Sequence, residues 1–323
     1  MQLTTDINIE LLSAFLRKEG ILSAEEKVKA TEKPGEGNMN VVLRIRTNMR
    51  TFIAKQSRPF VQKYQDIPAP INRIAVEHQF YETIEKKAID QHLPKVLGFL
   101  PKDHLLFLED LGESEDFSFV YEKRNISKSH LEQLTTIAMG IHESAVSSAY
   151  PENLELRKLN HQHIFVLPFL EENGFSLDQV QVGLQALSLP LKQDILLKEK
   201  ISALGELYLS TGGVLLHGDY YPGSWMGLKD QVFVLDPEFS FLGVAEFDLG
   251  VMAAHLFMAT GNTKILEEIV ESYTAPINVK LMQEFAGVEV IRRLIGLAQI
   301  PLSRTLEEKK ELLHLAKSWV LNA

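Results

Sequence analysis

HGDYYPGSWM occupies residues 217–226, directly after the apolar run Val214-Leu215-Leu216. An apolar triplet followed by His-Gly-Asp marks a short strand that ends in a loop carrying a carboxylate. Asp236 comes seventeen residues after Asp219 and ends a second apolar run, Val232-Phe233-Val234-Leu235. Ser224 lies between the two acids, and Glu238 follows in Asp236-Pro237-Glu238-Phe239. Each acid alone is explained as a turn former or a helix cap. The ordered set of loop carboxylate, hairpin and strand-end carboxylate is harder to explain that way, because each part would have to coincide independently.

Composition bounds what such a set can serve. The chain has 323 residues, 45% hydrophobic and 24% charged, with a formal net charge of −10 and no cysteine. That is an ordinary globular make-up, long enough for one large core or two lobes. Disulfides, cysteine metal sites and cysteine nucleophiles are excluded. The acidic balance argues against general nucleic-acid binding. The start, MQLTTDINIELLSAFL, has no basic segment leading into an apolar core, and no run of 18 or more apolar residues occurs. We therefore expect a cytoplasmic protein without membrane or nucleic-acid partners; a homodimer is left open.

Working outward, residues 7–18 carry apolar side chains at helical spacing. KPGEGNMN forms a Gly-rich turn, and VVLRIR and TFIAKQ follow as two strands joined by a tight turn. Residues 71–88 are expected to be helical and 104–109 a strand. After about residue 125 the pattern turns to helices at 128–147, 191–210, 246–259, 263–273, 279–298 and 304–320. The apolar runs 214–216 and 231–235 resemble a small β-ribbon on that helical body. The strand pattern stops near Glu109-Asp110-Leu111-Gly112, which divides the chain into 1–110 and 111–323.

The Gly-rich turn lies within a hairpin, so it is neither a Rossmann nor a Walker loop, whose phosphate sits on a helix N-terminus. It is either a plain turn or a loop lying over nucleotide phosphates. Strand alternation puts Ile53 and Lys55 on one face, the face such a loop would cover. A lysine there can reach phosphates as a point charge, or can simply be exposed. Glu77 is the preferred helix carboxylate to hold it, with Glu82 and Glu85 as rivals. Phosphoryl transfer needs a carboxylate to take the acceptor's proton and oxygen ligands for Mg²⁺. Asp219 suits the first task; Ser224, Asp236 and Glu238 suit the second.

HGDYYPGS resembles the H-G-D-x-x-x-x-[N/S] loop of the aminoglycoside phosphotransferase and choline kinase superfamily, and most of all the methylthioribose kinases, which carry Ser at the last position. Asp236-Pro237-Glu238 followed by Phe247-Asp248 is similar to their D-P-E and phenylalanine-aspartate pair. Ile53-Ala54-Lys55-Gln56 resembles their ATP-lysine strand, Leu108-Glu109-Asp110-Leu111 their adenine-binding hinge, and Ile291-Arg292-Arg293-Leu294 their twin-arginine segment. The resemblance runs in order from about residue 35 to 300.

It implies an α+β, protein-kinase-like fold: a small β-rich, nucleotide-binding N-terminal lobe and a larger, mainly helical lobe for catalysis and substrate. It implies ATP and Mg²⁺ as cofactors and a small-molecule hydroxyl acceptor, 5-methylthioribose or a related sugar. Asp219 would be the catalytic base, with Arg292 and Arg293 facing the acceptor. Gly35, Gly37, Asn38, Asn40, Lys55, Glu77, Glu109 and Leu111 would hold the nucleotide, and Ser224, Asp236 and Glu238 the metal. Adjacent helical residues point about 100° apart, so one arginine is expected to reach the site. Asp248 would support the loop through hydrogen bonds.

Three features depart from the pattern. Tyr220-Tyr221-Pro222 replaces the usual Leu-His-Thr, Asn40 stands where a third Gly is usual, and the chain is shorter between D-P-E and the twin arginines. An aminoglycoside, choline or homoserine phosphotransferase is the alternative within the class. A catalytically silent nucleotide-binding scaffold and a metal-dependent phosphohydrolase are the alternatives outside it. Residues 156–163, rich in hydrogen-bonding groups, are expected to form a polar helix edge rather than part of the substrate lobe.

Overall fold

A computed structural model of the chain describes residues 1–35, 39–84, 89–147 and 149–322. The N-terminal lobe contains α1 (Ile9–Lys18), β1 (Val28–Glu32), β2 (Val41–Thr47), β3 (Thr51–Gln56), the short strands β4 (Phe60–Val61) and β5 (Tyr64–Pro68), α2 (Arg73–Ile84), β6 (Val96–Leu100) and β7 (Leu105–Glu109). Among the described residues β1, β2, β3, β7 and β6, in that order, form one sheet, antiparallel throughout.

Alternation gives this sheet two different faces. Leu43, Ile45, Phe52, Ala54, Leu105 and Phe107 point to one side and are buried against α1 through Leu12 and Leu16. Val42, Arg44, Ile53 and Lys55 point to the other, where a cavity separates the sheet from the second lobe. α2 crosses between them, with Ile74, Phe80 and Tyr81 in the main core.

The C-terminal lobe comprises β8 (Glu115–Asp116), α3 (Phe119–Lys123), α4 (Lys128–His142), α5 (Leu154–His161), α6 (Leu184–Lys192), α7 (Ile195–Leu209), β9 (Val214–Leu216), β10 (Trp225–Leu228), β11 (Gln231–Val234), β12 (Phe241–Gly243), α8 (Ala245–Thr260), α9 (Ile265–Ser272), α10 (Val279–Ile295) and α11 (Leu306–Asn322). α8 is buried on nearly every side, as a helix apolar all round must be. It packs against α10 at Gly250, where a Cβ would lie 2.8 Å from the Phe285 Cβ and 2.9 Å from the Met282 carbonyl oxygen. No helix among the described residues is long and apolar enough to cross a membrane.

The lobes follow the expected protein-kinase-like architecture, with local corrections. The expected ribbon of 214–216 with 231–235 does not form: β9 pairs with β12, and β11 pairs with β10. The expected helix at 191–210 is broken before Ile195, where Asp194 caps α7 by accepting from the Leu197 amide at 3.0 Å. β1 and β6 had no clear signal, because both are edge strands whose residues are mostly half exposed. The polar segment at 156–163 is the end of α5 running into a π turn over Gln162–Val166. Arg157 is buried there and donates to the carbonyls of Tyr208 and Ser210, tying α5 to the end of α7.

Candidate active site

The loop 217–226 is shaped by Asp248 at the start of α8. Its two carboxylate oxygens accept the backbone N–H groups of His217 at 2.7 Å and Gly218 at 3.0 Å. Gly218 has φ +83°, and a Cβ there would sit 2.2 Å from the Phe239 carbonyl oxygen. Only glycine fits such a left-handed, crowded turn. His217 is fully buried; its Nε2 lies 2.8 Å from the Leu235 carbonyl, and its Nδ1 accepts the Asp219 amide at 3.3 Å. Those partners assign the neutral ring with the proton on Nε2. Burial pushes its pKa down, which keeps it neutral. The loop is thereby tied to the end of β11, next to Asp236.

Asp219 sits above this anchor, with about a quarter of its side chain accessible (26%) and its Oδ1 3.8 Å from Arg293 Nη2. Loss of water around the carboxyl pushes its pKa up to about 6, with Arg293 and Arg292 pulling the other way. Arg293 also lies over the Tyr221 ring, 5.0 Å from its centroid. Tyr221 therefore stacks between the loop and the arginine, while Tyr220 is buried and donates to the Leu134 carbonyl at 2.7 Å.

Both arginines are held by one carboxylate that sequence reasoning missed. Glu289 Oε1 accepts from Arg293 Nε at 2.8 Å and from Arg292 Nη2 at 2.8 Å, while Oε2 accepts from Arg292 Nε at 2.5 Å. Its spacing was legible, since residues three and four apart share a helix face. Burial would raise the Glu289 pKa, but the two guanidinium groups outweigh it and hold the carboxyl well below the usual range. His255 donates its Nε2 proton to Glu289 Oε1 at 2.9 Å, and Tyr121 donates to His255 Nδ1 at 2.6 Å. Burial pushes His255 down to about 4, so the ring is neutral. Nothing in the sequence pattern pointed to His255 or Tyr121.

Lys55 links the two lobes. Its Nζ is 2.7 Å from Glu77 Oε2 on α2 and 2.6 Å from Asp236 Oδ1 at the end of β11. Burial works against the charge on Lys55, but Asp236 and Glu77 outweigh it and hold the amine above its ordinary range. Glu77, rather than its rival Glu82, is the partner; Glu85 lies outside the described residues. Asp236 has φ +63° and keeps 54% of its side chain accessible.

A second inter-lobe link lies behind it. Glu238, only 4% exposed, is 3.1 Å from Arg73 Nε and accepts from Asn40 Nδ2 at 3.0 Å through the same oxygen, Oε2. Arg73 also donates to the carbonyls of Met39, Arg58 and Pro70, so it pins the Gly-rich turn to α2. Arg73 gave no sequence signal, since its partner lies far along the chain.

Between the sheet and the loop lies a cavity of about 240 Å³. Val42, Ile53, Leu108, Met226 and Leu235 give it apolar walls, and Gly35, Lys55, Glu109, Leu111 and Asp236 also line it. Arg44 stiffens the connection between the lobes through Asp110 Oδ2 at 2.9 Å and the Gly112 carbonyl at 3.1 Å. Asn40, Glu77 and Glu238 stand behind the cavity rather than in its wall. Ser224 is buried in the 3₁₀ turn Pro222–Ser224, its carbonyl accepting the Leu235 amide at 2.9 Å. Gly37 and Asn38 lie outside the described residues. Among the described residues no three His, Asp or Glu side chains converge as a ready-made metal cluster.

The chain has known relatives. Residues 31–285 match the model of the phosphotransferase enzyme family, and the chain belongs to that family. It is a phosphotransferase of the alcohol-acceptor kinase class. It is 27% identical over 307 residues to a methylthioribose kinase of Exiguobacterium sibiricum, covering 89% of this chain and 77% of that one. With a methylthioribose kinase of Geobacillus thermodenitrificans it shares 26% identity, covering 86% and 81% of the two chains. The fold is shared with choline kinase from Streptococcus pneumoniae (TM-score 0.53, 13% identity, 97% and 100% covered). A spectinomycin phosphotransferase bound to ADP and spectinomycin shares it too (TM-score 0.55, 12% identity, 98% of each chain).

Proposed function

We propose that the enzyme transfers the γ-phosphate of ATP to a hydroxyl of a small molecule, 5-methylthioribose or a related pentose. The observation that carries this reading is Lys55 bridging Glu77 and Asp236 on a cavity that also borders the loop of Asp219. The methylthioribose kinases among its relatives support the choice of acceptor. A reaction that draws on ATP fits a cytoplasmic enzyme.

In this reading the apolar walls hold the adenine, Glu109 and Leu111 meet its edge through their backbone, and Lys55 meets the phosphates as a point charge. Asp219 orients the acceptor hydroxyl and takes its proton as the new P–O bond forms and the bond from the γ-phosphorus to the bridging oxygen of ADP breaks; ADP departs as the leaving group, and Asp219 then gives the proton up to solvent. Arg292 and Arg293 offset charge developing on the transferred group, pre-oriented by Glu289. A positive pair beside the acceptor disfavours cationic alcohols such as choline or an aminoglycoside.

Magnesium takes oxygen ligands and keeps several of its waters, so one or two carboxylates suffice. Asp236 and Ser224 are the oxygen donors that fit best; Glu238 has one oxygen already committed to Arg73 and Asn40. The ion would neutralise phosphate charge when bound.

The test is ADP release from ATP and Mg²⁺ across 5-methylthioribose, other pentoses, homoserine, choline and kanamycin. The reading expects turnover with the pentoses and little with choline or kanamycin. ATP binding without turnover on any acceptor would favour a silent scaffold, and phosphate release without acceptor would favour a phosphohydrolase.

A further inference from the structure

A second cavity of about 240 Å³ lies on the other side of Arg293, and the proposed reaction makes no use of it. Its walls come from the chain between α10 and α11, the first turn of α11 and the segment at 180–181. Arg293, Arg304 and Lys309 line it, and among the described residues no carboxylate does. Val180, Ile300 and Leu302 add apolar surface, and Gln181, Gln299 and Ser303 add polar side chains.

The three cations are not equivalent. Arg293 is matched by Glu289, and Arg304 is matched by Glu308 at 2.9 Å and by the Ala259 carbonyl at 2.7 Å. The side chain of Lys309 has neither hydrogen bond nor ion pair among the described residues, although the residue is only 5% exposed. Its Nζ stays accessible on the cavity wall, an ammonium that no carboxylate or carbonyl among the described residues answers. Partial burial holds its amine below the ordinary lysine range. Gln181 also lines the cavity, its Nε2 donating to the Arg304 carbonyl at 3.4 Å.

We propose that this cavity binds a phosphate group, whose oxygens accept from Lys309 and Arg293. The ligand must supply negative charge and several acceptors in a small volume, and a phosphate oxyanion supplies both. Two sources share this chemistry: free inorganic phosphate, and the phosphate of a sugar monoester. The inference goes beyond the proposed reaction and shares only Arg293 with it.

The experiment is calorimetric titration of inorganic phosphate, and separately of ribose 5-phosphate, into the full chain and into Lys309→Met, without ATP. Wild type should bind at least one of the two, and Lys309→Met should bind it at least tenfold more weakly, the scale of a lost charge-assisted hydrogen bond. Tighter binding of ribose 5-phosphate would identify an ester as the ligand, and tighter binding of inorganic phosphate the free ion. Should Lys309→Met fail to fold, Lys309→Gln takes its place with the same expected direction. No binding of either probe, or equal affinity in wild type and variant, overturns the proposal. Because no turnover is measured, its failure is separate from failure of the proposed reaction.

Discussion

Lys55 Nζ lies 2.6 Å from Asp236 Oδ1, joining the third strand of the N-terminal sheet to the end of β11 in the other lobe. Glu77 completes the bridge from α2. The contact makes the two lobes present one cation to one cavity, and in the proposed reaction Lys55 has a chemical duty beside this structural one. Lys55→Met removes the charge and leaves Glu77 buried without its partner. Turnover should fall at least about a hundredfold, by analogy with other losses of electrostatic stabilisation. Stability should fall by roughly 3 kcal/mol, as when one member of a buried pair is removed. Steady-state kinetics and urea unfolding read the two effects; Lys55→Met with unchanged turnover would remove it from the site.

In the proposed reaction Asp219 must be ionised to accept a proton, and burial raises its pKa to about 6. Its protonated form dominates below that value, so kcat/KM should fall as pH drops through about 6 and level off above it. A pH profile of kcat/KM, with unfolding monitored at each pH, shows whether the limb is there. A flat profile from pH 5 to 8 would assign the proton transfer elsewhere.

Glu289 touches neither Asp219 nor the nucleotide cavity, yet it fixes both arginines. Glu289→Gln should therefore raise KM for the acceptor and lower kcat, while KM for ATP stays within about twofold, because only the arginine end of the site loses its anchor. A structural effect alone would lower the amount of active enzyme and leave both KM values where they were.

Gly218→Ala tests the loop geometry. The new Cβ would meet the Phe239 carbonyl oxygen at 2.2 Å with φ at +83°. The combined clash and strain should cost more than about 2 kcal/mol, which is a drop in Tm of roughly 5 °C or more for a chain of this size. Turnover should fall with it, since Asp219 is the next residue. A differential scan and an activity assay on the same preparation check both.

Much of this site was legible in the sequence, for identifiable reasons. Lys55 and Ile53 share a face because strands alternate, and both line the cavity. Asp219 and Asp236 each stand just past an apolar strand, so their positions at the inner ends of β9 and β11 followed from local pattern. Strand pairing was not local: β9 and β11 look alike in sequence but belong to different sheets, because their partners β12 and β10 are set by tertiary packing. Edge strands β1 and β6 hid for a related reason, having only partial burial to impress a pattern. The Arg73–Glu238 and His255–Glu289 contacts span long sequence separations and left no periodic trace. Glu289 was the legible omission, since the spacing that places it beside Arg292 and Arg293 is written in α10.

The central claim is transfer of phosphate from ATP to a hydroxyl with Asp219 as the base. It is tested most directly by ADP release with and without 5-methylthioribose, in wild type and in Asp219→Asn, with ATP affinity measured in both. The account predicts ADP release that requires the acceptor and falls at least about a thousandfold in Asp219→Asn, with ATP affinity nearly unchanged. Turnover that persists in Asp219→Asn, or that proceeds equally without any acceptor, would contradict it.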